Sequence, residues 1–409
     1  MGDLFRRFWI PAVLSSEIPE RDGNPVRFQL LGERLIAFRD TDGKIGVLEE
    51  RCPHRHASLY WGRNEDCGLR CVYHGWKFDT EGNCVDQPAE PAASHFKEHV
   101  QAIAYETHEA GGIIWAYMGP KDKIPPFPDF EWTLLPDDHW MAGKRMQMCN
   151  YLQNLEGEMD TAHANFLHRE FGDDEKLPRS DVARKRFFVS ETDFGMLASA
   201  RSEMDNGTYY WRMTPFHLPS YTLIPGPPEN TNTFTAAIPI DDTHMWGFTV
   251  TWHHDRPLRD DEQSRIRLDG VRGGIGPHVV VDPKTFIPEA SLANEYFIDR
   301  DLQRSGSFTG IPGTRVQDLA VQEDQDGPIC FRHEEHLGTT DRAIVGTRRM
   351  LLNLAEQLQQ GIEPPQAQCP EAYCLRSVAQ EADRTTDPLE VWRSGQPSLA
   401  SGTKIGQPT

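Results

Sequence analysis

Four residues between positions 52 and 74 have the types and spacing to do chemistry. Cys52-x-His54 is followed, after sixteen residues, by Cys71-x-x-His74. Each pair offers one thiolate and one imidazole, so two loops could clamp opposite sides of one small cluster. A [2Fe–2S] centre with two cysteines on one iron and two histidines on the other needs that set. Neutral imidazoles in place of two thiolates reduce the negative charge and raise the potential to roughly −150 to +300 mV. A zinc site with two cysteines and two histidines is the plainer alternative, but such sites pair like ligands, as in C-x2-C with H-x3-5-H. Gly75 permits close backbone approach to inorganic sulfide, and Tyr73 and Trp76 could pack around the cluster. His56, Cys67 and Cys84 fall outside the pattern.

About ninety residues on stands a second constellation, Asp160-x-x-His163 followed by His168. On a helix Asp160 and His163 lie about 60° apart, whereas His163 and His168 are about 140° apart. Both imidazoles reach one ion only if the helix distorts or ends between them, for which Asn165 is suited. Two histidines and one carboxylate on one side of an ion form the facial triad of non-haem Fe(II) oxygenases, which leaves positions for O2 and substrate. An isolated His-x4-His reads as two ordinary helix histidines; the cluster motif upstream argues for the metal. The third ligand must be a distant carboxylate. The segment 317–329 offers Asp318, Glu323, Asp324 and Asp326, and spacing does not choose among them.

These residues need two kinds of scaffold. The first 120 residues look mostly β, with Arg27–Phe38 and Ile45–Glu50 joined through Asp42-Gly43, a tight turn at 79–83, and a buried strand at 112–118. Five prolines between Pro120 and Asp138 break the pattern and mark a boundary. Tyr151–His168 reads as a helix weakened at Gly157. Strands return between about 185 and 252, followed by helical signatures over Ala290–Gln303 and Thr340–Gln360. Past Gly361 the chain is rich in Pro, Gln, Ser and Thr, so 370–409 is expected to be a loosely attached tail. The domains expected are therefore 1–135, 136–369 and the tail 370–409.

The 409 residues carry 42 Lys+Arg against 62 Asp+Glu, a net charge of −20. That argues against nucleic acid or an anionic membrane as partner. The apolar runs are too short to span a membrane, and the first fourteen residues lack a signal-peptide core. The compartment expected is a reducing one, the cytoplasm, where the eight cysteines would stay free of disulfides.

With both metal motifs in hand, the sequence resembles the Rieske non-haem iron aromatic-ring-hydroxylating oxygenases, in the phthalate dioxygenase-like branch. The resemblance rests on CPHRHASLYWGRNEDCGLRCVYHGWKFDTEGNC, NLEGEMDTAHANFLH, NEYFIDRDLQ, QDLAVQEDQDGPI and RHEEHLGTTDRAIVGTRRML, and covers most of residues 1–360. Within the branch, overall similarity leans toward the enzymes of phenoxybenzoate. The resemblance implies an α+β chain: an N-terminal all-β Rieske [2Fe–2S] domain and a C-terminal helix-grip catalytic domain, in which a curved antiparallel sheet surrounds a long helix. It implies Cys52, His54, Cys71 and His74 as cluster ligands, and His163, His168 and Asp318 as ligands of a mononuclear non-haem Fe(II). It makes Asp160 a bridge from His163 to His74 of an adjacent subunit in a trimer or a stack of trimers.

The activity implied is that of a terminal oxygenase. It would dihydroxylate an aromatic carboxylic acid (a phenoxybenzoate, or a phthalate- or chlorobenzoate-like acid) in aromatic catabolism. The runner-up is a monooxygenase or O-demethylase on the same metals. No G-x-G-x-x-G follows a strand in this chain, so NADH would be oxidised by a separate reductase, in this branch one with flavin and its own [2Fe–2S] centre. A carboxylated substrate would need a buried cation, for which Arg201 and Arg212, on predicted strands of the catalytic domain, are the candidates.

Overall fold

The structure, a computed structural model, describes residues 1–91, 93–169, 185–226, 231–267 and 279–397. The chain divides into two compact units, Gly2–Pro125 and the residues from Pro126 onward.

In the first unit a short helix α1 (Gly2–Phe5) precedes ten strands: β1 (Trp9–Leu14), β2 (Val26–Leu30), β3 (Glu33–Arg39), β4 (Ile45–Glu49), β5 (Arg63–Asn64), β6 (Leu69–Arg70), β7 (Lys77–Phe78), β8 (Cys84–Asp86), β9 (Ala104–Ala110) and β10 (Ile113–Tyr117). They form a six-stranded antiparallel sheet, β1-β10-β9-β4-β3-β2, and a small four-stranded one, β5-β6-β7-β8. The stretch 27–38 is not one strand. Leu31 and Gly32 take φ of 49° and 82°, and this two-residue turn folds β2 back on β3. The Asp42-Gly43 turn joins β3 to β4 as expected, with the Asp40 carboxylate accepting from the N–H groups of Asp42 and Lys44. The small sheet spaces the two motif loops. Residues 50–62 connect β4 to β5, and residues 71–76 connect β6 to β7. Beneath the loops lies a core of Ile36, Phe38, Leu48, Leu59, Leu69 and Phe78, with Cys52 and Cys71 at its upper edge.

The second unit is built on an antiparallel sheet of β11 (Trp140–Gln147), β12 (Arg186–Glu191), β13 (Gly195–Glu203), β14 (Tyr209–His217), β15 (Tyr221–Leu223), β16 (Asn232–Pro239), β17 (Met245–Trp252) and β18 (Val378–Ala382). Its order is β11-β17-β16-β15-β14-β13-β12, with β18 also paired to β14. The helices are α2 (Tyr151–Met159), α3 (Asp260–Arg267), α4 (Arg300–Ser305), α5 (Thr314–Glu323), α6 (Arg342–Gln359) and α7 (Pro388–Ser394).

Side-chain contacts tell the two faces of this sheet apart. Gln147 of β11 hydrogen-bonds Gln322 of α5 and Asn154 of α2, and Gly346 of α6 sits over Met196 of β13 and Val189 of β12. These residues, with their register partners, mark the helix-covered face, the one that carries α2, α5 and α6. The opposite face is sealed by aromatic side chains. Phe130 and Trp132 pack there on Tyr221, Phe234 and Trp252, and Phe130 also meets Tyr373. The proline-rich stretch is thus only partly a linker, because from Pro126 onward it covers the sheet of the second unit.

Two sequence expectations need correction here. Ala290–Gln303 is not one helix. A 3-10 segment at Leu292–Phe297, broken within itself by left-handed backbone at Glu295, Tyr296 and Phe297, precedes α4. The conformation places the Tyr296 hydroxyl on Glu323 of α5 at 2.7 Å. Nor is the chain past 370 a loose tail as far as residue 397. The three-residue β15 covers only the Phe216–His217 end of β14, and β18 pairs the otherwise open edge at Tyr209–Met213. Val391 and Trp392 of α7 are buried, and Arg376 forms a two-point ion pair with buried Glu131. A few large apolar residues anchor a segment whose average composition is polar. Residues 398–409 lie outside the described residues.

Candidate metal centres

The two loops of the first unit bring Cys52, His54, Cys71 and His74 together. In the first, Cys52 N–H donates to Ala57 O and His56 N–H to Cys52 O; in the second, Cys71 N–H donates to Trp76 O and Gly75 N–H to Cys71 O. Gly75 makes its turn with φ of 78°, and a Cβ there would strike Pro88. Both cysteines are buried, and the imidazole centroids of His54 and His74 are 4.4 Å apart. The Cys71 thiol is drawn down to about 6, chiefly by a hydrogen bond from Cys52, while Cys52 is pushed up. One member of the pair is thus held ready as a thiolate, the form that binds metal. His54 Nδ1 is buried without a protein partner among the described residues. That orphaned nitrogen, two adjoining thiols and a second imidazole fit a [2Fe–2S] cluster. Trp76 stacks on His54 at 4.3 Å and 8°, and Tyr73 tilts over His74 at 3.9 Å. His56, at φ of 58°, is exposed and takes no part.

In the second unit helix α2 stops before either histidine. Asp160 is its C-cap, with extended backbone at φ −82° and ψ 102°. Its carboxylate accepts from Ala162 N–H at 2.7 Å and His163 N–H at 3.2 Å, which winds the next residues into a 3-10 turn, His163–Asn165. Asn165 steadies the turn by donating to Ala162 O. The break removes the 140° conflict. His163 Nε2 and His168 Nε2 are 3.2 Å apart, and Asp318 Oδ1, from α5, lies 3.7 Å from the first and 3.3 Å from the second. Donor atoms of all three lie within 4.8 Å of one another. Of the other carboxylates in that segment, Glu323 accepts from Met148 N–H and Tyr296 O–H, and Asp324 and Asp326 are exposed.

The nitrogens facing away from this point are also engaged. His168 Nδ1 meets the amide oxygen of Gln317 at 2.7 Å, and Gln317 donates in turn to Ile311 O. His163 Nδ1 lies 3.6 Å from Asp160 Oδ2. With the Nδ1 protons directed outward, both Nε2 lone pairs face the shared point, as metal-binding imidazoles require. The electrostatics favour a cation there. Burial works to lower His163, yet Asp160 and Asp318 hold it above the ordinary histidine value. Burial works to raise Asp318, yet Arg315, His168 and His163 hold it below the ordinary carboxylate range. The donor set and its charge fit a divalent iron. Asp160, His163 and Asp318 also line a cavity of about 220 Å³, shared with Glu156, Gln322 and Arg348.

Sequence reasoning missed Gln317, Arg315 and Glu158. Their one signal was position, Gln317 and Arg315 beside Asp318 and Glu158 beside Asp160. Of the two candidate arginines, Arg201 lies opposite Trp211, on the face of the sheet away from α2, α5 and α6, where its guanidinium lies 4.1 Å from the Tyr209 ring centroid. Arg212 pairs with Ala200, two residues from the Met196–Phe216 pair, and so belongs to the helix-covered face.

Comparison with known proteins agrees with both centres. Residues 8–101 match the Rieske [2Fe-2S] domain model, and residues 116–378 match the LigXa C-terminal domain-like model. The phthalate 4,5-dioxygenase oxygenase subunit of Pseudomonas putida is 39% identical, over 88% of this chain and 84% of its own. The 3-chlorobenzoate-3,4-dioxygenase oxygenase subunit of Comamonas testosteroni is 38% identical, over 89% and 87%. Phenoxybenzoate dioxygenase subunit alpha of Ectopseudomonas oleovorans is 28% identical, over 91% and 86%. With a model matching more than half of its length and relatives this similar across most of theirs, the chain belongs to the Rieske non-haem iron oxygenases, oxidoreductases that carry a [2Fe–2S] cluster and a mononuclear iron.

Proposed function

We propose that this chain is the terminal oxygenase of a ring-hydroxylating dioxygenase for an aromatic carboxylic acid, of the phthalate, chlorobenzoate or phenoxybenzoate type, working in aromatic catabolism in a bacterial cytoplasm. The observation that carries the reading is the convergence of His163 Nε2, His168 Nε2 and Asp318 Oδ1 beside a carboxylate, Asp160, that contacts His163. Cys52, His54, Cys71 and His74 would hold the cluster, and the triad would hold the iron. When bound, the two centres supply electron transfer and O2 activation.

The side chains arrange the rest. Gln317 and Asp160 keep the two imidazoles turned with Nε2 inward. Asp160 has a second task. Its carboxylate already accepts from the backbone and faces His163, and it lines the cavity, where it can also accept from an imidazole arriving from outside. The partner assigned is His74 of a neighbouring subunit in a trimer. Arg212, on the helix-covered face, is the cation assigned to the substrate carboxylate; its fork suits two-point pairing. Electrons would reach the cluster from NADH through a separate flavin and [2Fe–2S] reductase.

The test is a panel of aromatic acids with purified reductase, NADH and isotopically labelled O2. A diol carrying two labelled atoms is expected, at one O2 per product. One labelled atom would make the enzyme a monooxygenase or O-demethylase. For the bridge, Asp160→Asn should keep both metal sites loaded but slow substrate-triggered reoxidation of the cluster at least about a hundredfold, since the hydrogen-bonded path loses its anionic centre. Near-normal reoxidation in a single turnover would remove Asp160 from that path.

A further inference from the structure

Asp318 does not present its two oxygens equally. Oδ1 faces both imidazoles, whereas Oδ2 lies 3.3 Å from Nη1 of Arg315, one turn earlier on α5. Arg315 is itself 4% exposed, and its Nη1 lies 2.5 Å from Glu158 Oε1 at the end of α2. We propose that Arg315 is a positioning residue that ties down Oδ2 of Asp318, so that the carboxylate gives the iron one oxygen and leaves the remaining positions to substrate and O2. This rests on the assignment of His163, His168 and Asp318 as the iron's ligands.

A carboxylate can bind a metal through one oxygen or both, and swinging between the modes changes the number of open positions. A buried guanidinium ion-paired with one oxygen restrains that swing, because pulling the two apart in the interior gives up their attraction where water does not replace it. The charge balance explains Glu158. An arginine beside a dication would repel it, whereas the Arg315–Glu158 pair adds direction and no net charge. Three residues on two helices then act together, with α5 supplying the ligand and its tether and α2 the counter-charge.

The probe is Co(II), loaded after chelating the mononuclear iron from protein that keeps its [2Fe–2S] cluster, whose spectrum reports folding. Arg315→Met should weaken Co(II) binding about 10- to 100-fold. Its visible band should also lose intensity, as the second carboxylate oxygen joins and the coordination number rises. Arg315→Lys, which restores one N–H donor and the charge, should recover most of both readouts. Glu158→Gln should shift affinity and band in the same direction by less. Weaker binding with an unchanged band would show that Arg315 merely supports the helix and would overturn the proposal, as would unchanged affinity. If Arg315→Met does not fold, an unchanged band in both Arg315→Lys and Glu158→Gln overturns it. Loss of iron binding in Asp318→Ala is the separate check on the ligand assignment; retained iron there would sink that reading, whatever Arg315 does.

Discussion

The amide oxygen of Gln317 takes the outward proton of His168, where His163 has the carboxylate of Asp160. The two imidazoles are thus unlike: one leans on a neutral acceptor and the other on an anion, which makes His163 the stronger donor. Gln317→Leu should free the His168 ring to turn or change tautomer, and the mononuclear iron affinity should fall about 10- to 100-fold. Iron per chain after dialysis against a chelator measures this, with the cluster's spectrum as the internal control. Unchanged retention would show that packing alone fixes the ring. Residues of this kind are hard to see in a sequence. Cys-x-His with Cys-x-x-His is legible because thiolates and imidazoles at short intervals have few other uses. A glutamine beside an aspartate has many, and only the folded helix shows which one it has.

At the scale of the element, the helix read at 151–168 is real only to Met159. Hydrophobic periodicity could place it but could not see that Asp160 caps its own following turn. Gly157, which looks like a flaw by propensity, has a packing role. A Cβ there would lie 2.3 Å from Gln322 Nε2, and Gln322 is already fixed by Gln147 and Asn154. Gly157→Ala in an exposed helix would add about 1 kcal/mol. Here it should destabilise the second unit and loosen α5 with its Asp318, seen as a lower thermal midpoint and less iron per chain; a raised midpoint would refute the packing argument. Strand β14 carries another such position. His217 is fully buried between Phe194 and Tyr373, neither ring nitrogen has a hydrogen-bond partner among the described residues, and burial lowers its pKa to about 3. The unfolded chain binds a proton near pH 6.5 that the folded one refuses, so stability is full above that pH. It falls by about 1.4 kcal/mol per unit as pH drops toward 3. His217→Leu should flatten the decline of the unfolding free energy between pH 6.5 and 5; parallel curves for the two proteins would show that His217 does not refuse its proton.

For the whole molecule the net charge of −20 is unevenly shared. Between residues 2 and 125 there are 15 Lys+Arg against 19 Asp+Glu, so most of the excess lies in the second unit. The cluster loops are locally basic. Arg51 and Arg55 flank Cys52 and His54, both are exposed, and the Arg55 guanidinium lies 5.5 Å from the Tyr73 ring centroid, beside His74. This family takes its electrons from another protein, and a donor with an acidic face would be repelled by most of this surface but drawn to the loops that hold the cluster. Long-range attraction of this kind changes association rates by tenfold or more and is screened by salt, the Debye length shrinking from about 10 Å at 0.1 M to about 3 Å at 1 M. Arg55→Glu should therefore slow second-order reduction of the cluster by reduced donor at least about threefold at low ionic strength. The gap should close near 1 M salt, with the cluster's absorption unchanged. Stopped-flow reduction at several salt concentrations reads this directly. A rate indifferent to both the substitution and the salt would mean that the donor docks by shape, away from the arginines, and that the acidity of the chain has no part in choosing its partner.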